Sequence, residues 1–139
     1  AIDKARHYRK LYGGGWRQAG VLAAAGLHAL REHRGRLVED HENAGFLADA
    51  LRGLDFDVQP PETNMVWCNP PRGIAMDVIC EELRREGLLI SGTYVGPHRR
   101  QPFGDKSTTM RLVTHLQTPR AICKRLVQSL ARLVKPGLC

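Results

Sequence analysis

The sequence of 139 residues lacks any long hydrophobic run. A helix that crosses a bilayer needs roughly 20 consecutive apolar residues, so the sequence predicts no membrane span. The first residues, Ala1 to Arg6, carry charges that no apolar segment follows, which is not the pattern of a signal peptide. With 42% apolar and 25% charged residues, the composition is typical of an ordinary globular protein that buries its own core.

Aromatic residues are few, and acidic residues are outnumbered by basic ones. Lysine and arginine together number 21 against 14 acidic residues, which gives a net charge of +7. A basic balance is typical of proteins that bind nucleic acid, but no RNP, zinc-finger or helix-turn-helix signature accompanies it. The three Phe and three Tyr form no stacking platform for bases. We therefore predict no nucleic-acid partner and assign the basic residues to solvated helix faces or to contacts with an acidic partner domain.

Cysteine pairs and metal-ligand patterns are missing as well. The four cysteines, Cys68, Cys80, Cys123 and Cys139, form no CxxC pair and show no disulfide-like spacing. Cys68 and Cys123 lie in apolar segments, where a free thiol behaves as a small buried hydrophobe. Reduced cysteines are typical of a cytoplasmic protein. The six histidines have no HExxH or paired spacing, so the sequence predicts no metal site.

Hydrophobic periodicity predicts three helices in the first third of the chain. Residues 1–12 form the first, which the glycines at 13–15 end because three glycines lose too much backbone entropy in a helix. Residues 17–33 form the second, with small side chains at its centre. Residues 35–54 form the third, whose predicted apolar stripe consists of Leu37, His41, Ala44, Ala48 and Leu51.

The rest of the chain alternates between short β-prone runs and helices. The predicted order is strand, strand, helix, strand, strand, helix, at residues 56–58, 64–68, 74–87, 88–90, 110–116 and from Thr118-Pro119 onward. Residues 91–108 have no periodicity and read as a long loop or hairpin tip. This order predicts an α+β fold, in which helices cover a small antiparallel or mixed sheet.

Four blocks of the sequence resemble one enzyme family. They are Tyr8 to Gly26, Glu39 to Ala44, Thr63 to Val66 and Arg111 to Leu116. In content, order and approximate spacing they resemble the C-terminal part of the low-specificity L-threonine aldolases, which belong to the β-eliminating lyase group of fold-type-I pyridoxal-phosphate enzymes. The resemblance covers almost the whole chain.

The resemblance implies a division of the chain and an activity. Residues 1–34 would be interdomain linker helices and residues 35–139 the small C-terminal domain, with the N-terminal large cofactor domain absent. The implied reaction is retro-aldol cleavage of L-threonine or allo-threonine to glycine and acetaldehyde, with pyridoxal 5'-phosphate as cofactor. The implied full-length protein is a cytoplasmic homotetramer, a dimer of dimers, that takes a small amino-acid substrate.

The resemblance also implies that the lysine that holds the cofactor lies upstream of residue 1, usually after a serine. The chain has five lysines, and none of them follows Ser or Thr: Lys4, Lys10, Lys106, Lys124 and Lys135. We therefore expect no catalytic lysine in this chain, and we expect the chain alone to be inactive.

Three basic residues are the candidates for the site. Arg111 stands where the family has its substrate-carboxylate arginine, and a planar guanidinium can hold a carboxylate through two parallel hydrogen bonds. The resemblance places Lys10 and Arg17 near the cofactor phosphate or the substrate. Trp16 departs from the family, which usually has Met before this arginine. Without the resemblance, Arg111 would read as a surface arginine and residues 13–15 as a hinge.

Other candidate residues favour structural roles. His115 reads as packed and hydrogen-bonded rather than as a catalytic base, His41 as a core or interface residue and Asn64 as a turn-capping residue. Arg99 and Arg100 either line the site entrance or are solvated. Two alternative functions stay open: the small domain of another fold-type-I lyase or aminotransferase, and a degenerate paralogue without enzymatic activity.

Overall fold

The computed structural model describes residues 1–90 and 109–134 and divides the chain into two compact units, Ala1–Gly35 and Arg36–Cys139. The predicted loop at 91–108, which includes Arg99 and Arg100, lies outside the described residues. Among the described helices, none is long and apolar enough to cross a membrane.

The first unit consists of two helices with a break between them. Helix α1 spans Ile2–Leu11 and α2 spans Ala19–His28, and neither helix has a buried residue. A π-helical turn continues α2 over Ala29–His33, and a 3-10 turn follows at Arg34–Arg36. The predicted glycine break is confirmed. Gly13 has φ +83°, and the Gly14 N–H donates to the Arg9 carbonyl at 2.7 Å, which closes the end of α1.

In its described residues, 36–90 and 109–134, the second unit is an antiparallel three-stranded sheet with three helices, which confirms the predicted α+β class. Its elements in chain order are α3 (Leu37–Gly53), β1 (Asp57–Val58), β2 (Met65–Asn69), α4 (Met76–Arg85), β3 (Met110–Val113) and α5 (Arg120–Val134). The strand order is β1-β2-β3, so β2 is central. In the register of β2 with β3, Val66 faces Leu112 and Trp67 faces Arg111.

Alternation along the strands gives the sheet a core face and an outer face. Val66, Cys68, Met110 and Leu112 are buried, whereas the residues between them are half-buried or exposed. The helices cover the core face through their own apolar stripes. The fully buried helix residues that form the centre of the core are Ala44, Ala48, Leu51, Ile79, Leu83 and Leu130.

Two local predictions are wrong. Residues 88–90 do not form a strand: the Leu88 N–H donates to the Leu83 carbonyl at 2.8 Å, which is a helix-closing bond and not a ladder bond, and Leu88 puts its side chain into the core. His41 does not join the apolar stripe of α3 but is exposed, as is Leu37. The stripe that α3 buries begins at Asn43.

Candidate functional site

Arg111 lies on the outer face of the sheet. It follows the buried Met110 and precedes the buried Leu112 on β3, so strand alternation turns its side chain away from the core. The guanidinium carbon of Arg111 lies 5.7 Å from the ring centroid of Trp67, its register partner on β2. Both side chains are half-buried. The face therefore presents a cation beside an aromatic ring, with Met65 and Val113 as exposed apolar neighbours.

Two concavities lie around this pair. One, of about 420 Å³, is lined by Arg111, His115 and Arg125 together with apolar residues such as Leu88, Ile122 and Leu126. The other, of about 310 Å³, is lined by Gln59, Pro60, Glu62, Thr63, Met65 and Trp67. Arg111 borders the first concavity and Trp67 the second, so the pair stands between a cationic and a more acidic part of the surface.

A buried polar network fixes the end of β3 directly after Arg111. The Thr114 hydroxyl donates to the Asp40 carbonyl on α3 at 2.7 Å, and the Thr114 N–H donates to the Asn64 carbonyl at 2.9 Å. The Asn64 side-chain amide donates in return to the Thr114 carbonyl at 2.7 Å. Asn64 therefore extends the pairing of β2 with β3 instead of capping a turn, which corrects the sequence interpretation.

A second side-chain bond ties α3 to the start of α5. The Asn43 amide, which is buried, donates to the Thr118 carbonyl at 3.0 Å. Together with Thr114 and Asn64, Asn43 brings three of the four sequence blocks to one place behind the sheet. Sequence reasoning missed Asn43 and Thr114, although both stand inside those blocks. Their partners are mostly backbone carbonyls, which no residue pattern reveals.

His115 lies exposed after β3, and its Nδ1 accepts a hydrogen bond from the Gln117 N–H at 3.2 Å. The predicted hydrogen bond is confirmed, but the predicted packing is wrong. The strand ends at Val113, three residues before the predicted end at Leu116. His115 also has the parity of Arg111 and Val113, whose side chains face away from the core.

Glu86 crosslinks α4 and α5 below the first concavity. Its carboxylate accepts hydrogen bonds from the Ser129 hydroxyl at 2.5 Å and from the Arg132 guanidinium at 2.8 Å, and its carbonyl accepts one from Arg125. The Ser129 bond, followed by the Arg132 bond, lowers the pKa of Glu86 below its ordinary range. Glu86 therefore holds Arg132 through its carboxylate and Arg125 through its backbone carbonyl.

The cysteines among the described residues have structural positions, and Cys139 lies outside those residues. Cys68 and Cys123 are buried and Cys80 is half-buried, all as free thiols, which confirms the prediction for the first two. Burial, and secondly the Asp57 carboxylate, raises the pKa of Cys68 to about 12. Cys68 is therefore a packed hydrophobe and not a nucleophile. Among the described residues, no three His, Cys, Asp or Glu side chains are placed to hold a metal ion.

Lys10 and Arg17 belong to the first unit, and Arg111 belongs to the second. Both residues of the first unit are exposed. Lys10 lies in the last turn of α1, and an added Cβ at Gly15 would lie 3.9 Å from its Cγ, so the aliphatic stem of Lys10 lies beside the glycine run. Gly14 admits no larger residue without a shift, because a Cβ there would meet the Arg9 carbonyl oxygen at 2.8 Å. The tight end of α1 thus presents Lys10 next to bare backbone.

Comparison with known proteins relates the chain to one protein family. The sequence model of the beta-eliminating lyase family matches residues 1–70, just over half of the chain. This match includes Lys10, Arg17, Asp40, Asn43 and Asn64.

Curated relatives extend the likeness further along the chain. The low specificity L-threonine aldolase of Escherichia coli K12 is 37% identical over 119 residues, which are 86% of this chain and 31% of that protein. The probable low-specificity L-threonine aldolase of Schizosaccharomyces pombe is 34% identical over 98 residues, 70% of this chain and 25% of that protein. Low-specificity L-threonine aldolase 1 of Arabidopsis thaliana is 38% identical over 94 residues, 64% of this chain and 26% of that protein. The chain therefore spans about a third or less of the length of these relatives.

Proposed function

Because the chain belongs to the beta-eliminating lyase family, we propose that it forms the C-terminal part of a pyridoxal-phosphate-dependent threonine aldolase. The proposed reaction is the retro-aldol cleavage of L-threonine or allo-threonine to glycine and acetaldehyde. The observation that carries the proposal is the position of Arg111, a guanidinium on the outer face of a sheet whose opposite face is sealed by the core.

Arg111 would bind the carboxylate of the amino-acid substrate. Two parallel N–H donors match the two carboxylate oxygens, so a bidentate contact fixes both the position and the rotation of the substrate. Such orientation contributes to rate because the bond to be broken must be aligned with the group that takes up its electrons. The network of Thr114 and Asn64 stabilises the strand end on which Arg111 lies.

The described residues fit a phosphate-bearing cofactor in their chemistry. Lys10 and Arg17 are exposed cations near a glycine run, and cations with accessible backbone suit a phosphate or a second carboxylate. Pyridoxal phosphate, when bound, supplies the electron sink for carbon–carbon bond cleavage. None of the five lysines has the sequence context of the family's cofactor lysine, so we assign that residue to a part of the enzyme other than these 139 residues.

A chimaera tests the proposal. This chain would replace the matching segment of the E. coli threonine aldolase, and acetaldehyde release from threonine would be measured with and without Arg111→Ala. We expect the parent chimaera to be active and Arg111→Ala to lower kcat/KM by about 100-fold or more, mainly through KM, since lost charged hydrogen bonds cost roughly 3 kcal/mol.

Arg72→Ala is the matched control, because Arg72 is an exposed arginine of the same unit, on the turn between β2 and α4. It should leave kcat/KM unchanged. An Arg111→Ala chimaera with near-parental kcat/KM would sink the assignment of Arg111. Release of pyruvate and ammonia in place of glycine and acetaldehyde would favour the alternative of another fold-type-I lyase.

The cofactor assignment has its own test on the chain as it stands. The purified chain would be mixed with pyridoxal phosphate, reduced with borohydride and weighed as an intact protein. We expect no stoichiometric adduct at a single lysine and no turnover of threonine. One specific adduct together with acetaldehyde release would overturn the assignment of the lysine to another part of the enzyme.

The proposed assembly is a homotetramer built as a dimer of dimers, in the cytoplasm. Light scattering of the active chimaera gives its mass in solution and checks the first point.

A further inference from the structure

Trp67 and Arg111 face each other in a non-hydrogen-bonded pair of the antiparallel ladder. The Thr114 N–H donates to the Asn64 carbonyl, and hydrogen-bonded and non-hydrogen-bonded pairs alternate along an antiparallel ladder. Counting from that bond, Val66 with Leu112 is a hydrogen-bonded pair, and Trp67 with Arg111 is a non-hydrogen-bonded pair. Side chains approach each other more closely in a non-hydrogen-bonded pair than in the other kind.

The distance agrees with this pairing. The 5.7 Å between the guanidinium carbon and the indole centroid lies within the roughly 6 Å at which a cation interacts with a ring face. Trp is the aromatic residue that binds cations best, and its position on the central strand makes it the more firmly held partner. Arg111 lies on β3, at one side of that strand.

An arginine side chain has high rotamer entropy, which a carboxylate must overcome to form two bonds at once. A flat ring beside the guanidinium removes part of that entropy before the ligand arrives, so binding costs less. Glu62 lines the same concavity as Trp67, and Arg111 does not line it. A smaller side chain at position 67 would leave the guanidinium of Arg111 open to the carboxylate of Glu62.

We propose that Trp67 is the positioning residue of Arg111: its indole holds the guanidinium on the outer sheet face in the orientation that receives a carboxylate. The inference about the carboxylate rests on the proposed function, whereas the inference about the contact does not. Two measurements therefore separate them.

The contact is tested by NMR on the 139-residue chain. The Arg111 δ-methylene and Nε–H signals, assigned by their loss in Arg111→Lys, should be displaced by the ring current of Trp67. Trp67→Leu should return them to random-coil positions, Trp67→Phe should retain part of the displacement, and Trp16→Phe should change nothing. Random-coil positions in the parent, or no change in Trp67→Leu with amide dispersion preserved, would overturn the proposal.

The positioning role is tested in the chimaera. Trp67→Leu should raise KM for threonine about three- to fivefold, the size of one partly exposed cation–π contact, and leave kcat close to the parent value. Trp67→Phe should restore most of the affinity, and the double variant Trp67→Leu/Glu62→Gln shows how much of the loss comes from capture by Glu62. If Arg111→Ala lowers kcat/KM strongly and Trp67→Leu leaves KM unchanged, the positioning role is wrong. If Arg111→Ala has no effect, the proposed function of Arg111 fails, and the NMR result still decides the contact.

Discussion

Helix α2 in the first unit is made almost wholly of small and apolar residues, yet none of its side chains is buried. Helix α4 in the second unit is polar on average and buries three side chains, Met76, Ile79 and Leu83. The difference lies in the pattern: α4 concentrates its apolar residues on one stripe that packs in the core against α5, whereas α2 is apolar all round and presents no single face. Apolar composition therefore does not decide burial, and the stripe and its partners do.

The largest expected effect on stability comes from a substitution in the core of the second unit, and a substitution in α2 of the first unit should have little effect. Ile79→Ala removes a fully buried side chain and should lower the free energy of unfolding by about 2–5 kcal/mol. Leu22→Ala, at a position that is 55% exposed, should change it by less than about 0.5 kcal/mol. Urea unfolding followed by Trp67 fluorescence in a Trp16→Phe background measures both. Equal effects of the two variants would contradict the comparison.

The second largest expected effect concerns a buried polar side chain. The second unit contains such side chains, whereas α1 and α2 bury no residue. Thr114→Val keeps the size of the side chain but leaves the Asp40 carbonyl without the Thr114 hydroxyl donor. We expect a loss of about 1–3 kcal/mol in unfolding free energy. Thr114→Ser keeps the hydroxyl and should recover most of that loss. A Thr114→Val variant within experimental error of the parent would show that the network does not stabilise the strand end.

The smallest effect is electrostatic. The pKa of Glu86 is lowered in the folded chain, chiefly by the Ser129 hydrogen bond, so its contribution to stability is full above the ordinary value of 4.5 and is lost as the pH falls through the lowered pKa. Glu86→Gln should therefore lower stability near neutral pH and flatten its dependence below pH 4.5. Thermal unfolding of the parent chain and of Glu86→Gln across that pH range checks both effects.

Where sequence reasoning succeeded, one local signal was enough. The glycine run at 13–15, the period of α3 beyond Asn43 and the helix start near Pro119 depend on neighbours along the chain. The α+β class follows from the order of these elements.

Where sequence reasoning failed, the answer depended on residues distant in the chain. Leu88 looks like a strand residue, but it closes α4 and fills the core. Nothing next to His115 in the sequence shows that β3 ends at Val113 and that the imidazole is exposed. The pairing of Trp67 with Arg111 depends on the register of β2 with β3. Alternation of polar and apolar residues shows which face each side chain occupies, but it does not show which residue lies opposite on the neighbouring strand.

The alternation of apolar and charged residues along β3 also fixes the face on which Arg111 lies. Met110 and Leu112 fill the core on either side of Arg111, so a slip of the strand by one residue would turn the guanidinium into the core and both apolar side chains out to water. The free-energy cost of burying an unpaired charge is far larger than that of exposing one methyl group to water. Burial of Met110 and Leu112 in the core thus also determines which face of the sheet carries Arg111. The free energy of the strand is lowest when its single cation faces outward.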